Sequence, residues 1–179
     1  ACVRFIVAPK AYSRAELARL EELAKEWGAK GLAYLVYDGG EVRSPIAKFL
    51  SERELEAFRA GDGSTVLFGA GEEESVAHVL GLLRLHIARE LDLIQEKDVF
   101  HWVVDFPLFK HDEETGAWTF MHHPFTAPMQ DEPWDEANPV GVRGQHYDLV
   151  WNGWELGSGS IRIHDADVQE RVFRTMGMS

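Results

Sequence analysis

The sequence has little cysteine, little basic charge and no long apolar run. Among its 179 residues Cys2 is the single thiol, which excludes an internal disulfide and fits a reducing compartment. No apolar stretch reaches the roughly 20 residues that span a bilayer. A signal-peptide pattern is also missing, so the reading is cytoplasmic, with no membrane association. Eighteen Lys and Arg stand against thirty Asp and Glu, a formal net charge of −12. A general nucleic-acid footprint needs basic residues to displace counterions and is not expected on this surface; contact through another part of a larger protein stays open. The histidines show no HExxH or HxxxH spacing, so a zinc hydrolase ranks last among the readings. Gly157 and Gly159 lack both the third glycine of a dinucleotide fingerprint and the Gly-Lys-Ser/Thr of a phosphate loop. The Gly-x-Ser-x-Gly elbow of serine hydrolases is absent, and so are internal repeats.

What is present is an ordinary globular composition, 45% hydrophobic and 27% charged, enough for one medium domain or two small ones. Val3 to Ala8 reads as a strand ended by Pro9. Ser13 and Glu16 form a capping box for a helix carrying Leu17, Leu20, Ala24 and Trp27 at helical spacing. Leu32 to Tyr37 is a strand, and Asp38-Gly39-Gly40 turns it into Glu41-Val42-Arg43. Ser51 and Glu54 cap a short helix, Thr65 to Phe68 is a third strand, and Glu72 to Leu93 is a helix with a Val76, Leu80, Leu83, Ile87, Leu91 stripe. The texture changes after Asp98. Phe100 to Phe109, Trp118 to Met121, Tyr147 to Leu156 and Ile161 to His164 read as strands. Residues 127–145 read as a long surface loop, and Asp165 caps a helix from Ala166 to Met176. The fold class is α+β: a mixed α/β module over 1–95, then part of an antiparallel sheet over 96–179. With no initial Met and no partner closing the sheet, more chain is expected in the native protein.

The candidate chemistry lies near the C-terminal end. With Ser158-Gly159 as a two-residue turn, Glu155 and Arg162 would face each other across a hairpin, while Leu156, Ile161 and Ile163 fill the core behind. Such a pair is either a cross-strand ion pair, worth roughly 0.2–1 kcal/mol, or a site. In a site the guanidinium would grip a carboxylate or phosphate and the carboxylate would hold a metal ion. The small glycines would let a ligand approach the backbone. His122 and His123, as neighbours on a strand, would point to opposite faces and not share a metal; one of them facing an anionic ligand and a purely structural role are both open. Asp148 and Asp105 are acids in apolar strands, either solvated at a sheet end or part of the site. Trp102, Trp118, Trp151 and Trp154 read as core.

Phe100-His-Trp-Val-Val-Asp-Phe-Pro-Leu-Phe109, Met121-His-His-Pro-Phe-Thr126 and the run from Tyr147 to Asp165 together resemble the bacterial-type aspartyl-tRNA synthetases, which are class II aminoacyl-tRNA synthetases. Gly28-Ala-Lys-Gly-Leu-Ala33 and Ser44-Pro-Ile-Ala-Lys-Phe-Leu50 resemble the GAD domain inserted in those enzymes. The resemblance implies an aspartate–tRNA ligase that forms aspartyl-adenylate from L-aspartate and ATP and passes the aspartyl group to tRNA-Asp. It implies a GAD-like insertion domain at 1–95 and part of the catalytic domain at 96–179. By the family pattern Arg162 binds the side-chain carboxylate of aspartate, His122 contacts aspartate and His123 supports that pocket. Glu155 contacts ATP through Mg2+, with Asp148 as a second, weaker metal candidate. No residue here is assigned as nucleophile or acid–base catalyst. Trp151, Trp154 and Ser158 depart from the usual residues without breaking the pattern. The resemblance implies a homodimeric parent, and because the anticodon-binding module and motifs 1, 2 and 3 are not in these 179 residues, this stretch is expected to be inactive alone. The competing reading is a non-catalytic module in which the GAD-like residues serve binding or docking.

Overall fold

Alternating apolar residues and two capping boxes build the first half of the computed structural model, which describes residues 1–129 and 134–178. The chain divides into two compact units, Ala1–Gln95 and Glu96–Ser179. The first begins with β1 (Cys2–Ala8) and α1 (Arg14–Glu26). The Ser13 hydroxyl accepts from the Glu16 N–H, and the Glu16 carboxylate accepts from the Ser13 N–H at 2.8 Å. Two N–H groups that the helix cannot satisfy are thereby paired. β2 (Ala33–Asp38) turns through Gly39-Gly40 into β3 (Glu41–Arg43). Ser51 and Glu54 repeat the capping box at α2 (Glu52–Ala57), and β4 (Ser64–Gly71) leads to α3 (Glu73–Glu90).

These strands form one antiparallel sheet in the order β1-β4-β2-β3. The helical stripes land on one face of it. Leu17, Leu20 and Ala24 of α1 and Val76, Leu80, Leu83 and Ile87 of α3 are buried with Val36 and Leu67. Fully burying a side chain such as Leu83 contributes about 1.5–3 kcal/mol. The other face buries Leu35, Val66 and Phe68 under Ile46, Leu55 and Phe58. Val3, Phe5 and Val7 alternate along β1 and stay largely exposed.

The second unit is more broken than its sequence predicts. The apolar run 100–109 is not one strand. It divides into β5 (Phe100–Val103), β6 (Phe106–Pro107) and the start of β7 (Phe109–His111). Asp105 adopts the left-handed conformation, φ +64°, and Pro107 has no N–H to give a ladder, so pairing changes partner there. β7 pairs with β8 (Trp118–Phe120), and β6 with β9 (Arg143–Gly144). β9 lies inside the stretch predicted as a loop, where Val142 is also buried. Positions 130–133 of that loop lie outside the described residues.

The run 147–156 is likewise two strands. β10 (His146–Trp151) and β11 (Trp154–Ser160) are joined by Asn152-Gly153. Both turn residues have positive φ, +46° and +87°, the left-handed pair that a two-residue hairpin requires and Asn-Gly supplies. Ser158-Gly159 is therefore strand, not turn. The sheet order is β11-β10-β5, all antiparallel. β11 carries one extra residue, Leu156, between Glu155 opposite Val150 and Gly157 opposite Leu149. Ile161 to His164 forms no full strand but is extended. The Ile161 carbonyl accepts from the Ala127 N–H, and the Phe125 carbonyl accepts from the Ile163 N–H. Asp165 caps α4 (Ala166–Thr175) by accepting from the N–H groups of Asp167 and Val168. The unit's core is Leu108, Phe109, Val142 and Val172, with Trp118, Trp134 and Ile163 against it. Trp102, Trp151, Trp154, Leu156 and Ile161, expected inside, are exposed among the described residues.

Candidate functional site

Strand register decides which side chains meet. Across β10 and β11, His146 pairs with Ser160, Asp148 with Ser158 and Val150 with Glu155. Paired residues share a face and alternate residues return to it, so one face of this hairpin presents His146, Asp148, Glu155, Ser158 and Ser160. Arg162 follows Ser160 by two along the extended chain and continues that face. Glu155 and Arg162 are therefore successive along one segment rather than opposed across a turn, and the expected cross-strand ion pair has no geometry to form. The opposite face carries Tyr147 and Leu149, paired with Gly159 and Gly157. A side chain at Gly159 would start 2.8 Å from the Tyr147 hydroxyl and 3.0 Å from its ring. The glycine there accommodates a tyrosine ring, on the far side of the sheet from the polar residues.

The histidines come from a tight turn after β8. The Thr126 N–H donates to the His123 carbonyl, and Thr126 itself is buried, its hydroxyl donating to Ser160 Oγ at 3.3 Å. This anchors the turn to the end of β11. His122 and His123 are not on a strand, so the expectation of opposed rings fails: the two centroids are 4.7 Å apart. His123 Nδ1 lies 2.9 Å from Arg162 Nη1 and 3.0 Å from the Phe125 amide nitrogen. Both neighbours are donors, so Nδ1 is the acceptor and the ring proton belongs on Nε2. Nε2 is buried with no partner among the described residues. Burial, then the Arg162 charge, then His122, hold the His123 pKa below its ordinary value. A neutral imidazole thus accepts from an exposed guanidinium, leaving the fork's other donors for a carboxylate.

The structure brings Arg162, His123 and His122 together, and places Asp148 and Glu155 on the adjoining strand face. Among the described residues no three His, Cys, Asp or Glu side chains are grouped to hold a metal ion. Two carboxylates on one face suit a magnesium ion whose remaining ligands are phosphate oxygens and water. Asp105 is elsewhere, exposed beside Arg143 at 3.9 Å. Residue patterns missed His146. Its ring is buried and stacks on Phe106, with centroids 4.0 Å apart, and on His122 at 5.2 Å with an interplanar angle of 11°. Its position two residues before Asp148, on the same strand face, was the available signal. No helix among the described residues is long and apolar enough to cross a membrane.

A family profile described as tRNA synthetases class II (D, K and N) matches residues 15–179. The aspartate–tRNA ligase of Geobacillus kaustophilus (strain HTA426) is 50% identical over 174 residues, covering 94% of this chain and 30% of the relative. The aspartate–tRNA(Asp/Asn) ligase of Anoxybacillus flavithermus (strain DSM 21510 / WK1) is 45% identical over 175 residues, covering 94% and 29%. That of Bacillus subtilis (strain 168) is 45% identical over 174 residues with the same coverage, 94% and 29%. The chain thus spans about 30% of the length of the curated relatives it matches. Its second unit is an antiparallel sheet bearing a histidine–arginine cluster and two carboxylates, and the profile extends over both units: the chain belongs to the class II aminoacyl-tRNA synthetases, in the group of the D, K and N enzymes.

Proposed function

We propose that the chain is part of an aspartate–tRNA ligase and supplies one wall of the site where L-aspartate and ATP form aspartyl-adenylate, before the aspartyl group passes to tRNA-Asp. The observation that carries this reading is the Arg162–His123 contact at 2.9 Å, with His122 beside it. A planar guanidinium held by a neutral imidazole is set to bind the side-chain carboxylate of aspartate with two hydrogen bonds. An asparagine amide would place an N–H donor against that donor fork, so the same contact discriminates against the uncharged analogue. His122 contacts the bound amino acid, and His123 holds Arg162 in orientation.

Asp148 and Glu155 share the neighbouring face, where they would hold the magnesium that accompanies ATP, Glu155 as the principal contact. The ion when bound offsets phosphate charge as pyrophosphate leaves. No side chain need act as nucleophile: the aspartate α-carboxylate oxygen attacks the α-phosphorus, and pyrophosphate departs with the bond electrons. The chain's own contribution is to bind and orient. The first unit takes the part of the GAD insertion domain, the parent is a homodimer, and its compartment is the cytoplasm. Relatives named aspartate–tRNA ligase or aspartate–tRNA(Asp/Asn) ligase, at 45–50% identity, support the ligase part of this reading.

In the full-length ligase, Arg162→Ala is expected to lower kcat/KM for aspartate in ATP–pyrophosphate exchange by about a hundredfold, the scale of losing charged hydrogen bonds. Exchange that survives the substitution unchanged would sink the reading. A second reading rests on β1, whose Val3, Phe5 and Val7 are 66%, 44% and 52% exposed on an edge strand. The first unit would then be a docking module, and its partner binding would be indifferent to Arg162→Ala.

A further inference from the structure

We propose that His146 is a positioning residue of the aspartate pocket: its buried ring is the flat support that holds His122 in place beside the Arg162–His123 pair. The inference rests on the ligase reading above but on different atoms. His146 is 6% exposed at the start of β10. Its ring lies nearly parallel to Phe106, with centroids 4.0 Å apart and an interplanar angle of 21°, and more nearly parallel to His122. Phe106 is fixed by the pairing of β6 with β9. A strand-paired aromatic ring thus backs His146, and His146 in turn backs a residue that faces the ligand.

The surroundings of the ring explain why it cannot serve as a ligand contact through Nδ1. That atom is buried without a partner among the described residues. It abuts Gly144, where a side-chain carbon would start 3.1 Å from Nδ1 and 3.2 Å from Leu108 Cδ1. A proton on Nδ1 would be a buried donor with no acceptor, so the ring is neutral with its proton on Nε2. A neutral flat ring can stack on His122 without adding charge next to Arg162. His122 has only a marginal tie of its own, Nδ1 lying 3.5 Å from the Thr126 hydroxyl, at the limit of a hydrogen bond. The His123 ring is nearer, at 4.7 Å, but tilted by 36°, so the near-parallel His146 ring is the contact that matches the plane of His122.

Two substitutions of similar volume separate a flat support from mere filling. In the full-length ligase, His146→Phe keeps a stacking ring, whereas His146→Leu keeps apolar bulk without one. His146→Leu is expected to raise KM for aspartate about tenfold, with kcat and KM for ATP within about twofold, because a small misplacement acts on the group that touches that substrate. His146→Phe is expected to stay within about twofold of wild type. In the 179-residue chain itself, His146→Leu should move the His122 ring proton resonances by removing the stacked ring, and long-range nitrogen–proton spectra should show wild-type His146 as the Nε2–H tautomer. Unchanged KM for aspartate in His146→Leu, an equal rise in KM for ATP, or unmoved His122 resonances would each overturn the inference. If that happens while Arg162→Ala still lowers kcat/KM for aspartate about a hundredfold, the ligase reading survives alone. A wild-type enzyme with no aspartate-dependent exchange overturns both.

Discussion

At the scale of single residues, the cluster is organised by who can donate. His123 Nδ1 is claimed by a guanidinium and an amide N–H, which leaves no place for a second ring proton. Burial first, and then the Arg162 charge, hold its pKa below the ordinary value, and a stability consequence follows from that. An unfolded histidine takes up a proton as pH drops through its ordinary value of 6.5, while the folded one resists. Unfolding then binds protons, so stability is full above 6.5, falls as pH drops below it, and levels out beneath the depressed folded value. His146 is displaced in the same direction, by burial first and then by His122. Melting the chain from about pH 8 to about pH 5 should show this acid-side loss, with a shallower slope in His123→Gln. An identical slope would mean His123 is not the group responsible. The candidates Arg162, His122 and His123 could be picked out of the sequence because each lies in a short local motif, Met121 to Thr126 or Tyr147 to Asp165. His146 was not, since its role depends on rings delivered by β6 and by the turn after β8.

At the scale of elements, helices were read well and hairpins less so. The capping boxes at Ser13 and Ser51 and the α3 stripe are local patterns, and local patterns survive folding. The second unit's strands misled because continuous apolar runs conceal their breaks: Asp105 and Asn152-Gly153 interrupt stretches that composition alone joins. Asn-Gly was the turn signal to follow, and the glycine-rich 157–159 drew attention away from it. Asn152 also ties the hairpin to the chain before β5. Its Oδ1 accepts from the Val99 N–H at 3.0 Å, and its Nδ2 donates to the Lys97 carbonyl at 2.9 Å. Asn152→Ala is expected to destabilise the second unit by about 2 kcal/mol, combining left-handed strain with lost hydrogen bonds. Asn152→Gly removes the strain and should cost about 1 kcal/mol, from the side-chain bonds alone. Urea unfolding of the three proteins would decide; equal stability of wild type and Asn152→Ala would refute the assignment.

At the scale of the whole molecule, the division at Gln95 and Glu96 separates a unit cored on both sheet faces from one that leaves a sheet face open. Phe100, Trp102 and Trp154 are 57%, 58% and 73% exposed, although their composition suggests interior. Sequence pattern marks a residue as fit for burial, but it does not identify what will cover it. The polar face offers ATP two carboxylates and a single guanidinium, too little cationic charge for a triphosphate. The 179-residue chain alone is therefore expected to give no aspartate-dependent ATP–pyrophosphate exchange, and robust exchange by the purified chain would contradict the one-wall reading. One small irregularity has the widest reach. Glu155 and Arg162 are separated by an odd number of positions, so an unbroken strand would send them to opposite sides. The extra residue at Leu156 shifts the alternation once and reconciles them. The site therefore depends on the parity of this segment more than on the identity of the residue that corrects it. Leu156 can be exchanged for many side chains, and deleting it would leave Glu155 and Arg162 six positions apart, an even spacing that keeps both on one face without a bulge; a one-residue insertion between Gly157 and Ile161 is the change that would carry Arg162 through the sheet and leave Glu155 behind.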